Sequence, residues 1–291
     1  MKSSYITNSV LLILIIGLYF FINYQAPQID YQRLSTLHAE DASSIIIERD
    51  NRDDIILNKK SQQWFITQPI QASANTTRVN LILDLLSSRS QGHLEPLPNQ
   101  SLKQFDLQPA KVTLRINDQT FEFGNVDPLS KHRYIYHDTL IHLIADTVAP
   151  LLNATAASFI DNRLFSADHH ITKLTLPALI NQKSQSSPVT ISLKDGHWIS
   201  SNTTLSADSL TTTIDAWQHA YGMQVFTITP DSTESGIWQT ITVEFVEQAT
   251  IELQLQFDGN SMYVIDGSKG LKYQFPLSHR QQFFPIQEAA Q

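Results

Sequence analysis

Residues 64–86 read WFITQPIQASANTTRVNLILDLL, and residues 198–217 read WISSNTTLSADSLTTTIDAW. Each stretch opens on a tryptophan, passes through a short polar run to Ser-Ala-Asn-Thr or Ser-Ala-Asp-Ser, and continues as a helix. In the first, Val79, Ile82, Leu83 and Leu86 recur at i, i+3, i+4 and i+7, one apolar face at the helical period. Ser73 or Asn75 can cap it, because a side-chain oxygen there accepts from backbone N–H groups that have no partner in the first turn. In the second, Leu210, Ile214, Trp217 and Tyr221 fall at i, i+4, i+7 and i+11, and Gly222 is placed to stop the helix.

Alternating segments flank both helices. Before the first, residues 44–58 give two β-runs around a polar tip, and residues 64–66 give a third run that ends at Pro69. After it come KVTLRINDQTFEFG, turning at Asn117-Asp118, and HRYIYHDTLIHLI, turning at His137-Asp138. Before the second helix, VTISLKDGHWIS turns at Asp195-Gly196. After it, ITVEFVEQATIELQLQFDG alternates again and MYVIDGSKGLKYQF turns at Asp266-Gly267. Tryptophan to serine is nine residues in the first copy (64 to 73) and eight in the second (198 to 206). The shared order predicts an internal duplication. The fold class is α+β, with two similar β-rich units, each a β-hairpin, one capped helix and an antiparallel sheet. LLNATAASFIDNRLF lies between them as a short helix and linker. Both tryptophans are expected where sheet meets helix.

At the amino end, residues 10–22 read VLLILIIGLYFFI, and residues 5–24 carry no charge. Twenty helical residues span about 30 Å, the hydrocarbon thickness of a bilayer. FINYQAPQID lacks the small-residue site of a cleaved signal. The expectation is a single transmembrane helix, an uncleaved signal anchor in the lipid bilayer through residues 5–24. Lys2 precedes it, and the positive-inside rule then puts the amino terminus in the cytoplasm and the rest in the periplasm. The expected organisation is an anchor over 1–24, a tether over 25–42, a first repeat over 43–160 and a second over 161–291.

Composition narrows the function classes. The net charge is −8, and no Lys/Arg run exceeds Lys59-Lys60, which argues against a nucleic-acid partner. There is no cysteine, so disulfides, thiolate metal sites and cysteine nucleophiles are excluded. Charged residues are 16% of the chain, below the usual quarter, so the surface leans on Gln, Asn, Ser and Thr.

WFITQP followed by ASANTTRVNLILDLL resembles the entry segment of the bacterial domain of unknown function 4340 family, a Trp, apolar residues, Pro, then a helix opened by Ala-Asp-Ser. In the same order, FDLQPAKVTLRI, FEFGNVDPLSKHRYIYHD and, loosely, FIDNRLF resemble later pieces, with Asp106 where the family often has Gly. The likeness is strongest over residues 45–165. It implies a membrane anchor and an extracytoplasmic β-rich region. Some members are encoded near ABC-type transporter or gliding-motility components, and no catalytic residues carry over.

The search for chemistry returns little. No Gly-x-Ser-x-Gly, Ser-x-x-Lys, phosphate loop or His-Glu-x-x-His occurs. Asp168-His169-His170 is the densest histidine group, but neighbours on a strand face opposite ways, so no metal site is assigned. His137 and His142 sit across a hairpin turn, and Asp53-Asp54 reads as a solvated loop tip. Lys131, His132, Arg133, Tyr134 and Tyr136 form the most basic and aromatic segment, a candidate partner-contact surface. The expectation is a non-enzymatic, cofactor-free interaction or scaffold protein with an envelope protein partner, accessory to an envelope or ABC-type transport complex. The alternative is an envelope glycan-binding protein or hydrolase with a site between the repeats.

Overall fold

The computed structural model of the protein describes residues 10–19, 33–96, 102–177, 180–181, 184–185, 188–228, 238–247 and 249–285. Helix α1 covers residues 10–19, and every one of its side chains is exposed. The remainder of the anchor expected over 5–24 lies outside the described residues. Among the described residues no helix is long and apolar enough to cross a membrane.

The first unit contains β1 (Ser44–Arg49), β2 (Arg52–Lys60), β3 (Gln63–Gln68), β4 (Ala72–Ser73), helix α2 (Thr76–Leu83), β5 (His93–Leu94), β6 (Val112–Ile116), β7 (Gln119–Val126), β8 (His132–His137) and β9 (Leu140–Ala145). Its sheet runs β4-β3-β2-β1-β6-β7-β8-β9-β5. Helix α3 (Ala149–Leu152) and a 3-10 turn (Ala156–Phe159) lead out of it. The second unit contains β10 (Ile171–Leu176), the small pair β11 (Ile180–Asn181) and β12 (Ser184–Gln185), then β13 (Val189–Lys194), β14 (His197–Ser200), helix α4 (Ala207–Gln218), β15 (Gln224–Thr227), β16 (Gln239–Phe245), β17 (Ile251–Asp258), β18 (Ser261–Asp266), β19 (Leu271–Pro276) and helix α5 (Arg280–Phe283). Its sheet runs β14-β13-β10-β16-β17-β18-β19-β15.

With β4 set aside, the two orders coincide strand for strand. In each unit the helix leaves one edge strand, β3 or β14, and the chain reaches the far edge at β5 or β15 before returning to the centre of the sheet. All the pairs in both sheets are antiparallel. That connectivity lets one helix lie across one face, so strands such as β1, β6 and β17 bury alternate side chains. Ile45 and Ile47, Leu114 and Ile116, Leu253 and Leu255 are all fully buried. Each such side chain contributes roughly 1.5–3 kcal/mol by leaving water.

Asn75 and Ser206 cap the two helices at the same position. Asn75 Oδ1 accepts from the Arg78 N–H at 3.1 Å, and Ser206 Oγ from the Ser209 N–H at 3.2 Å. Asn75→Ala and Ser206→Ala are each expected to cost about 1 kcal/mol in urea titrations. A loss in only one helix would mean that the two caps are not equivalent. Trp64 is buried on β3, and Trp198 on β14 is partly buried against the core.

Several local expectations change. Helix α4 ends at Gln218, so Tyr221 is off the helix and 56% exposed, and Gly222 does not stop it. The Gly222 N–H instead donates to the Asn162 carbonyl at 2.8 Å, in a place where a Cβ would lie 3.4 Å from the Gln224 and Gln274 carbonyl oxygens. The β8–β9 turn is Asp138-Thr139, both at positive φ (47° and 67°), one residue beyond the expected place. Asp53 and Asp54 lie on the exposed start of β2 and not in a turn. Within the tether expected over 25–42, the described residues from Arg33 onward are docked: Leu34 and Ala42 are buried, and the Leu34 N–H donates to Ser88.

Candidate functional site

The segment after Phe159 ties the units together. The Phe159 carbonyl accepts the Asn75 N–H at 2.7 Å, and the Asp161 N–H donates to Ser73 at 2.8 Å, extending the edge beyond β4. From the next residue onward the chain bonds the other unit. The Leu164 N–H donates to Ala220 at 3.0 Å, and Asn162 holds Gly222 from both sides, its carbonyl accepting the N–H and its Nδ2 donating to the Gly222 carbonyl at 2.7 Å. The expected boundary between residues 160 and 161 therefore falls inside a segment shared by both units. Buried side chains of both sheets and of this segment join in a single cluster.

Where β3 and β4, the shared segment and β19 meet, they border a half-open cavity of about 390 Å³. Its apolar lining includes Phe65 and Ala72, both partly buried, together with Ile66, Leu164 and Leu271, which are each 1% exposed. Its outer wall carries Lys60, Arg163 and Lys269 against one lining carboxylate, Asp161. Asp161 is turned to its neighbour, with Oδ1 accepting the Arg163 N–H at 3.1 Å and Oδ2 lying 3.6 Å from Arg163 Nε. The Lys269 ammonium lies 3.0 Å from Oδ2 of the buried Asp266, whose Oδ1 accepts from the backbone and hydroxyl of Ser268. Tyr273 also lines the cavity. Burial first, then the charges of Asp266 and Asp161, push its phenol well above the usual tyrosine range, so it stays a neutral hydroxyl. FIDNRLF was legible as a linker; that its Asp161 and Arg163 face a cavity depends on strands far away in sequence.

The structure divides the candidate contact segment. Lys131 lies in the β7–β8 turn at φ 62°. Arg133 grips Asp146 with two bonds, 2.7 and 2.8 Å, and also donates to the Gly124 carbonyl. Tyr134 donates to Asp127 at 3.0 Å and packs on Phe105, with ring centroids 4.8 Å apart. His132 and Tyr136 are partly buried on the face that also carries Tyr134. Arg133 and Tyr134 thus serve the unit internally, and the most exposed apolar side chain in the same turn is Leu129, at 91%.

Three histidines hold structural positions. His169 packs its ring on Phe245, and its carbonyl accepts from Gln218. No group of three metal-ligating side chains forms among the described residues. His137 Nδ1 lies 2.8 Å from the Thr120 carbonyl, and its ring stacks on Phe121. His142 is 2% exposed, pairs with His93 across β5 and β9, and has no partner at Nδ1. Burial, then the neighbouring His137 and His93, lower its pKa, while a hydrogen bond with the His137 backbone and the charge of Asp138 oppose them. The unfolded chain therefore takes up a proton near pH 6.5 that the folded chain resists, and stability falls as pH drops below that value. Between pH 7 and 5, His142→Leu should lose less stability than the unaltered chain in urea titrations. Equal losses would place the acid sensitivity elsewhere.

With its paired sheets and capped helices, the chain has the architecture of a two-unit antiparallel α+β protein. It belongs to the family described as Domain of unknown function (DUF4340), which it matches over residues 64–221, more than half of its length. The match runs from Trp64 on β3 of the first unit to Tyr221, just past α4 of the second, so it reaches further into the second unit than the resemblance over 45–165 implied. Asp106, where the family often has Gly, adopts φ 59°, a left-handed conformation that glycine adopts without strain and aspartate tolerates. No curated protein and no solved structure matches the chain.

Proposed function

We propose that this is a single-pass inner-membrane protein of the bacterial envelope, with its amino terminus in the cytoplasm and its two α+β units in the periplasm as an interaction or scaffold module. The observation that carries the reading is α1. From Val10 to Tyr19 its large side chains are between 47% and 70% exposed, on every side of the helix. A water-facing protein does not leave such a surface uncovered, and lipid is the solvent that suits it. Lys2 then sets the orientation, and residues 5–24 form the span. The partner is an envelope protein, of the kind found in ABC-type transport complexes, met by the β7–β8 turn with Leu129 and Lys131 at its tip. The rival hydrolase reading asks for two facing carboxylates, and the described lining of the cavity offers Asp161.

Crosslinking in cells, followed by gentle detergent extraction and mass spectrometry, tests the interaction. A reproducible membrane partner is expected, kept when the anchor is exchanged for an unrelated one and lost when residues 43–277 are deleted. A chain that extracts alone at every crosslinker length contradicts the scaffold role.

A further inference from the structure

We infer that the cavity between the two units is a binding site for a small amphipathic anion: one carboxylate or similar anionic group on a compact apolar body. The first ground is charge. The chain as a whole is −8, yet at the cavity three cations, Lys60, Arg163 and Lys269, face two carboxylates, Asp161 on the lining and the buried Asp266 paired with Lys269, which leaves one positive charge in excess. A local reversal of the global sign at a concave site concentrates anions there. The second ground is the arrangement of polarity. The cationic groups are the accessible ones, Arg163 with 57% and Lys269 with 38% of the side chain exposed, and Lys60 exposed as well. Phe65 and Ala72, partly buried, supply apolar surface that an occupant can meet, and Ile66, Leu164 and Leu271 beside them are almost fully buried. A ligand that fits puts its charge at the mouth and its apolar body inside. A neutral glycan would set hydroxyls against that apolar wall without partners, at a cost.

Size supplies the third ground. About 390 Å³ lies within the range of small-molecule sites. It suits one short acyl chain or a fused aromatic ring, and it is too small for a two-chain lipid. Tyr273, a neutral phenol on the same lining, adds no negative charge that would oppose an anion. Because Lys60 belongs to the first unit, Arg163 to the shared segment and Lys269 to the second, an occupant touches all three parts and tightens the docking of the units. This inference stands apart from the interaction role, since a chain with no protein partner can still bind the anion.

The test uses the full chain in discs of neutral phosphatidylcholine, with empty discs as the blank. Isothermal titration compares 2-naphthoate with 2-naphthylmethanol, 2-naphthylmethylamine and acetate. Naphthoate is expected to bind one per chain, at least tenfold tighter than the alcohol, with no binding of the amine or acetate. Lys60→Gln/Arg163→Gln, two exposed changes, should remove that tenfold preference while the circular dichroism and melting temperature stay as they were. Lys269→Gln should act in the same direction, which covers a double variant that fails to fold. Absence of naphthoate binding overturns the site. Equal binding of acid and alcohol overturns its anionic character, and acetate binding as tight as naphthoate overturns its apolar character. A preference that survives all the substitutions places the ligand elsewhere.

Discussion

Replacing Trp217 with alanine is expected to lower the stability of the second unit by about 3–5 kcal/mol. Trp217 is fully buried on α4. Its indole N–H donates to the Phe283 carbonyl at 2.7 Å, and its ring meets those of Phe283 and Phe284 edge-on, with centroids 4.9 and 6.2 Å away. One side chain thus joins the covering helix to α5 and, through Phe283, to Phe275 on β19, 5.2 Å between centroids. Truncation leaves a large cavity and strands a buried carbonyl. Trp217→Phe fills most of the space and loses only the donor, so it should recover much of the difference. Urea titrations followed by near-ultraviolet circular dichroism read both changes. A loss below 1 kcal/mol for the alanine variant would mean that α5 does not close the core as described.

Phe159→Ala should be nearly as severe, also about 3–5 kcal/mol, but through the first unit and the shared segment. Phe159 is fully buried, and its carbonyl receives the Asn75 N–H at the start of α2. Its loss loosens the point from which Asp161 and Asn162 reach Ser73 on one side and Gly222 on the other. The variant should therefore lower the unfolding midpoint and also increase cleavage by trypsin after Arg163. Destabilisation without increased cleavage there would mean that the segment is held from the second unit alone.

The duplicated architecture was legible because its signals are local. Period-two alternation in residues 112–123 and 239–257 and the helical period of Val79, Ile82 and Leu83 each need only a short window. The caps were legible as Ser-Ala-Asn-Thr and Ser-Ala-Asp-Ser, although the choice of Asn75 over Ser73 needed the backbone: Ser73 is committed to β4, and its carbonyl holds Asp161. Strand β10 went unread. ITKLTL precedes its partners β13 and β16, and pairing with β16 spans some seventy residues. Strands β5 and β15 are too short to show a period. The β2–β3 turn is Ser61-Gln62, both at positive φ, without the Asn-Gly pair that usually announces such a turn. Arg133 reads as a surface cation in sequence, since Asp146 and Gly124 come to it only through the ladder of β7, β8 and β9. The cavity was the least legible feature, because its lining comes from three separate parts of the chain.

The account rests most on α1 lying in a membrane with both units outside the cytoplasm, and cysteine labelling tests it directly. The natural chain has no cysteine, so a single introduced thiol reports its own compartment. Leu129→Cys, at the most exposed large apolar side chain among the described residues of the first unit, is expected to react with a membrane-impermeant maleimide in cells whose outer membrane alone has been permeabilised. Ser3→Cys should react only after lysis, and both proteins should stay with membranes through alkaline carbonate. A Leu129→Cys chain that is shielded until lysis, or that washes into the soluble fraction, would contradict the anchor and with it the proposed place of this protein in the envelope.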